Sequence, residues 1–123
     1  MTKKTLSGGL VFVAILAAVA LLQAHAHVEK TEPAANSTIT TAPTSVQMWF
    51  NEAPDLKVTK VELAGASGKV ELGPAHSMGK NNVMAPIVGK MTNGKYTVNW
   101  QTAGDDGHVE KGTFTFTLSA KAE

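Results

Sequence analysis

Gly94-Lys95-Tyr96-Thr97-Val98-Asn99-Trp100 is the stretch that decides the fold. Tyr96, Val98 and Trp100 alternate with Lys95, Thr97 and Asn99, the period of two that puts apolar side chains on one strand face and polar ones on the other. Thr92-Asn93-Gly94 supplies a turn in front of it. Further on, Thr113-Phe114-Thr115-Phe116-Thr117-Leu118 repeats the alternation, and threonine between the apolar residues suits a solvated strand face. Gly104 to Gly107 reads as the loop between these two strands.

Working back toward the amino terminus, Ser45 to Phe50 sets Val46, Met48 and Phe50 on one face and Gln47 and Trp49 on the other. Asn51 to Asp55 breaks that strand. Lys57 to Ala64 offers Val61 and Leu63 on one face, with Val58 on the other, and Gly65-Ala66-Ser67-Gly68 makes a tight connection into Lys69 to Leu72. A polar loop from Gly73 to Asn82 leads to a short apolar strand, Val83 to Val88. Pro86 argues for an edge position there, because proline cannot donate to a ladder. With a short strand near Val28 to Thr31, the count is about seven, and no useful helical period, internal repeat or low-complexity tract interrupts them. The expectation is an all-β, single-domain sandwich.

The first 26 residues read differently. Lys3 and Lys4 precede an unbroken apolar run, Leu10 to Leu22, and Ala24-His25-Ala26 is a small-x-small exit. That is a secretory signal peptide over 1–26, cleaved after Ala26. The run is shorter than the roughly 20 residues needed to span a bilayer, so the mature chain 27–123 is expected not to span one. The sequence has no cysteine, which excludes a lipid-anchored lipoprotein and a disulfide-held fold. Cleavage would leave nine lysines against ten acidic residues. The lysines are scattered, whereas a nucleic-acid surface needs them clustered.

Two features could carry chemistry. Cleavage after Ala26 makes His27 the new terminus, and a terminal histidine can chelate through its α-amine and its ring Nδ1 together. Such an amine loses its proton at about pH 8, and Cu(II), at the top of the divalent affinity order, favours nitrogen and oxygen in a tetragonal set. The second feature is Asp106-Gly107-His108. In extended backbone residues i and i+2 point to one side, so a carboxylate and an imidazole would be presented together.

These stretches, taken in order, resemble the CopC/PcoC family of copper-resistance proteins. The family's G-x-Y-x-V-x-W, D-x-H and G-x-F/Y-x-F are met by Gly94 to Trp100, by Asp106 to His108 and by Gly112 to Phe116. His27, Pro33, Asn36-Ser37 and Phe50-x-Glu52 extend the likeness over essentially all of 27–123. The resemblance implies a Greek-key β-sandwich or barrel, cupredoxin-like or immunoglobulin-like, in the periplasm. It implies one Cu(II) per chain, held by the amine and imidazole of His27, the Asp106 carboxylate and the His108 imidazole. Glu52 would stand behind that site, bonding a ligand or the His27 amine. The implied role is a copper carrier or buffer and not an enzyme. The implied partners are other copper-resistance proteins, including an inner-membrane copper transporter.

The chain departs from the family pattern twice. The methionine-rich loop that binds Cu(I) is reduced to Met78 and Met84 within Gly65 to Val88, with His76 nearby. Soft-metal binding at a His76-Ser77-Met78 remnant is expected to be weak or absent, since Cu(I) wants several converging thioethers. Gly104 replaces a serine, which is expected to loosen the hydrogen bonding around Asp106. Met48 and Met91 read as packing residues, Trp100 as core and Trp49 as a lid or surface aromatic.

Two other classes compete. A copper-brace oxidoreductase of the polysaccharide mono-oxygenase kind would also begin at histidine, but it needs a broad substrate face and an open metal position that Asp106 would fill. A metal-free β-sandwich interaction module would follow if His27 lay far from Asp106 and His108.

Overall fold

The computed structural model describes residues 26–121. Apart from Ala26, the segment 1–26 expected to be a signal peptide lies outside them. Eight strands follow one another: β1 (Val28–Glu32), β2 (Ser37–Ile39), β3 (Ser45–Phe50), β4 (Lys60–Gly65), β5 (Gly68–Val70), β6 (Asn82–Pro86), β7 (Gly94–Ala103) and β8 (Val109–Leu118). They form a three-stranded sheet, β1-β3-β6, and a five-stranded sheet, β2-β8-β7-β4-β5. The chain changes sheet at every connection except the β4–β5 and β7–β8 hairpins. The all-β sandwich is what the alternation requires. Among the described residues no helix is long and apolar enough to cross a membrane.

The core lies between the sheets. Val46, Met48 and Phe50 of β3 are buried together with Leu63, Val83, Tyr96, Val98, Phe114, Phe116 and Leu118, and Met91 packs half-buried against them. The register pairs Tyr96 with Phe116 and Val98 with Phe114, so the two hairpin strands present one continuous apolar face. The Tyr96 hydroxyl donates to the Thr92 carbonyl at 2.6 Å and accepts from the Thr92 N–H at 2.8 Å. That ties the turn ahead of β7 to the core, as buried tyrosines do when their polar end finds backbone. Trp100 lies opposite Gly112, and its indole occupies the space a Cβ at Gly112 would need. Its ring meets Phe50 of the other sheet edge-on, centroids 5.3 Å apart. Trp49 faces outward, with the Lys30 ammonium 4.7 Å from its ring centre.

The strand beyond the seven expected from sequence is β2. It runs parallel to β8, Ser37 beside Phe116 and Ile39 beside Leu118, after Asn36 turns the chain with φ 65°. Other boundaries shift by a few residues. β4 begins at Lys60 because Lys57 to Thr59 close a turn on Asp55, and β7 and β8 continue to Ala103 and from Val109. β6 is the outer strand of its sheet, as Pro86 requires. Single bridges, Leu72 with Ile87 and His76 with Met84, run the chain along its far side.

Candidate metal centre

Four strand ends meet at one end of the sandwich. Antiparallel pairing brings the start of β1 beside the end of β3, and the end of β7 beside the start of β8. A hydrogen bond from the Asp105 N–H to Glu52 Oε1 at 2.7 Å joins the two sheets there.

On the small-sheet side, the β1–β3 register slips between Val28 and Lys30, leaving Glu29 as a bulge. Bulges of this kind turn the chain and re-aim the residues beside them. His27, exposed just before the bulge, is held by one residue at both of its backbone groups. Its N–H donates to Asn51 Oδ1 at 2.6 Å, and its carbonyl accepts from the Asn51 N–H at 3.1 Å.

On the large-sheet side, Asp106 and His108 do come together, though by a route other than strand alternation. The segment is a turn: the Gly107 N–H reaches the Gly104 carbonyl at 3.1 Å, and Gly107 has φ 77°, a conformation glycine enters without steric cost. Asp106 then holds His108 twice, accepting its backbone N–H at Oδ1 and its ring Nδ1 at Oδ2, each at 3.0 Å. The imidazole is 70% exposed, so as an ion pair this contact would add little stability. Its value is geometric. Neighbouring ligands of a tetragonal ion, each about 2 Å from the metal, stand about 3 Å apart.

Gly104 is buried, and the Glu52 carboxylate lies where a Cβ would be. The missing side chain makes room for Glu52 to reach the backbone of the loop at Asp105. Glu52 bonds this backbone N–H, while its neighbour Asn51 is the residue that meets the His27 nitrogen. Sequence reading missed Asn51, and the only local hint was its place next to Glu52 at the strand end.

Among the described residues, no three His, Cys, Asp or Glu side chains stand together closely enough to hold a metal. In a chain where Ala26 still precedes it, the His27 nitrogen is an amide that donates and has no lone pair to offer. The donor types nonetheless fit Cu(II): imidazole, carboxylate and, once Ala26 is removed, an amine.

The loop before β6 sits at the same end, since the Phe50 N–H donates to the Asn81 carbonyl at 2.8 Å. There His76 and Met78 take different hydrogen-bond partners. Met78 is 63% exposed, its N–H donating to Asn82 Oδ1 at 2.8 Å. His76 exchanges both backbone hydrogen bonds with Met84, which makes Met84 its cross-strand neighbour.

Residues 28–119 match the family model described as the CopC domain. The chain is 30% identical over 98 residues to Protein YobA of Escherichia coli K12, covering 77% of this chain and 79% of that protein. Several solved structures share the fold. PcoC, a methionine-rich copper resistance protein from Escherichia coli, superposes with a TM-score of 0.71 at 24% identity, over 78% of this chain and all of that one. CopC from Methylosinus trichosporium OB3b gives 0.72 at 18% identity, over 80% and 98%.

Proposed function

The chain belongs to the CopC family, and from that premise we propose that it is an exported copper-binding protein carrying one Cu(II) ion as cargo in the periplasm. The observation that carries this reading is the Asp106–His108 pair, held at ligand-like spacing on a loop that Glu52 ties to the strand end where His27 is anchored. Cleavage after Ala26 converts the His27 amide into an amine. The amine and imidazole of His27, the Asp106 carboxylate and the His108 imidazole then make up the donor set. Glu52 fixes the loop behind these ligands, the role outer hydrogen-bond partners play at metal sites.

Four protein donors leave no open position for a substrate, so the reading is of a carrier or buffer and not an oxidoreductase. Its exchange partners would be other copper-handling proteins, an inner-membrane copper transporter among them. The test is Cu(II) titration of the chain beginning at His27, beside one with a single residue added before it. The expected result is one-to-one binding that weakens by more than the roughly 100-fold an outer-shell change produces. Equal binding by both forms would remove the α-amine from the ligand set, and no binding by either would overturn the reading.

A further inference from the structure

Resting on that reading, we infer that Asn51 is a positioning residue for the metal site: its side-chain carbonyl holds the His27 nitrogen where the metal must find it. Each backbone group of His27 ends on this one residue, the N–H on Asn51 Oδ1 at 2.6 Å and the carbonyl on the Asn51 N–H at 3.1 Å. The second of these continues the β1–β3 pairing and would form with any residue at 51. The first depends on the asparagine side chain.

Its consequence follows from valence. A peptide nitrogen has one hydrogen to give and no lone pair, whereas an amine has two hydrogens in its neutral form and a lone pair as well. An amine can therefore keep the bond to Asn51 and still bind a metal, with that bond setting the direction in which the lone pair points. The strand alone does not set it, because the register slips at Glu29 and only Val28 separates His27 from the irregularity.

Asn51 also stands next to Glu52, whose carboxylate grips the other half of the site through Asp105. Two consecutive side chains on the short segment after β3 thus reach in opposite directions, one to each sheet. The distance between the amine and the Asp106–His108 pair is then set by a dipeptide and not by a flexible terminus. This explains how a residue at the end of a chain can serve as a ligand without a large ordering cost on binding, which fixed partners reduce.

The experiment uses the chain beginning at His27, with Asn51→Ala and Asn51→Asp beside the parent. Aspartate keeps an acceptor oxygen at the same reach. In Asn51→Ala the Cu(II) affinity is expected to fall by about 10–100-fold, the usual effect of losing an outer-shell partner. Its electron paramagnetic resonance spectrum should change as a nitrogen ligand is displaced, and Asn51→Asp should restore the parent spectrum. A merely structural role would lower thermal stability without altering the spectrum of the bound ion. Unchanged affinity and spectrum in Asn51→Ala, with the parent binding normally, would overturn this inference alone. Failure of the parent itself to bind would bring down the copper reading on which it rests.

Discussion

Two loops at the same end of the sandwich each carry a histidine and each lean on β3, yet they differ in what they do with it. Residues 104–108 are fixed by Glu52 on the Asp105 N–H and by the turn at Gly107, and the fixing leaves an imidazole and a carboxylate 3.0 Å apart. Residues 76–82 are fixed as firmly. Buried Asn82 accepts the Met78 N–H and donates to Gln47 Oε1 at 3.2 Å, and Asn81 accepts from Phe50. There the hydrogen bonds bring no carboxylate to the imidazole. The His76 ring lies 3.3 Å from the Pro74 carbonyl, and Met78 faces solvent. A histidine becomes a ligand candidate when the turn that positions it also supplies a second donor of the right kind.

The contrast is broken most severely by removing each histidine in turn from the chain that begins at His27. His108→Ala is expected to weaken Cu(II) binding by more than about 100-fold, beyond the loss of an outer partner. His76→Ala should leave it within about twofold, since an exposed surface change is close to neutral. Competition against a chelator of known affinity reads both. Comparable losses from the two would mean that the 76–82 loop shares in holding the ion with the 104–108 turn.

The next effect down is on the strut. Gly104→Ala forces a Cβ into the Glu52 carboxylate, so Glu52 must shift and loosen its hold on the Asp105 N–H. The expected result is a fall in Cu(II) affinity of about tenfold, with Glu52→Ala giving a similar loss. Removing that bond, between a backbone N–H and an exposed carboxylate, should cost about 1 kcal/mol of stability, read by denaturant titration of both variants without metal. Wild-type affinity in Gly104→Ala would show that Glu52 does not position the loop.

Much of this was legible in the sequence, and the illegible part has a common cause. Alternation in Ser45 to Phe50, Gly94 to Trp100 and Thr113 to Leu118 is a local signal, and each proved to be a core strand. β2 is three residues long and pairs in parallel with a strand far along the chain, so nothing within its own neighbourhood marks it. Asp106 and His108 were visible as a pair, because their juxtaposition spans three residues. Asn51, the packing of Glu52 against Gly104, and Met84 as the neighbour of His76 all depend on which strand lies beside which. Residue types were readable; partners set by register were not.

The smallest expected effect sharpens that last point. Hydrogen-bonded antiparallel partners carry their side chains on the same face of the sheet, with Cα atoms about 5.5 Å apart. His76 and Met84 are such partners, whereas Met78 hangs from the loop beyond them. One imidazole and one thioether are a meagre set for a soft ion, which prefers several sulfur donors, so Ag(I), a redox-inert stand-in for Cu(I), should bind weakly. What binding there is should move the Met84 methyl resonance together with the His76 ring signals before that of Met78. Met84→Ala should lower this weak affinity by less than about tenfold, or 1.4 kcal/mol. If Met78 responds first, chain proximity rather than strand register decides which sulfur His76 can recruit, and the distinction between the two loops would narrow to the carboxylate alone.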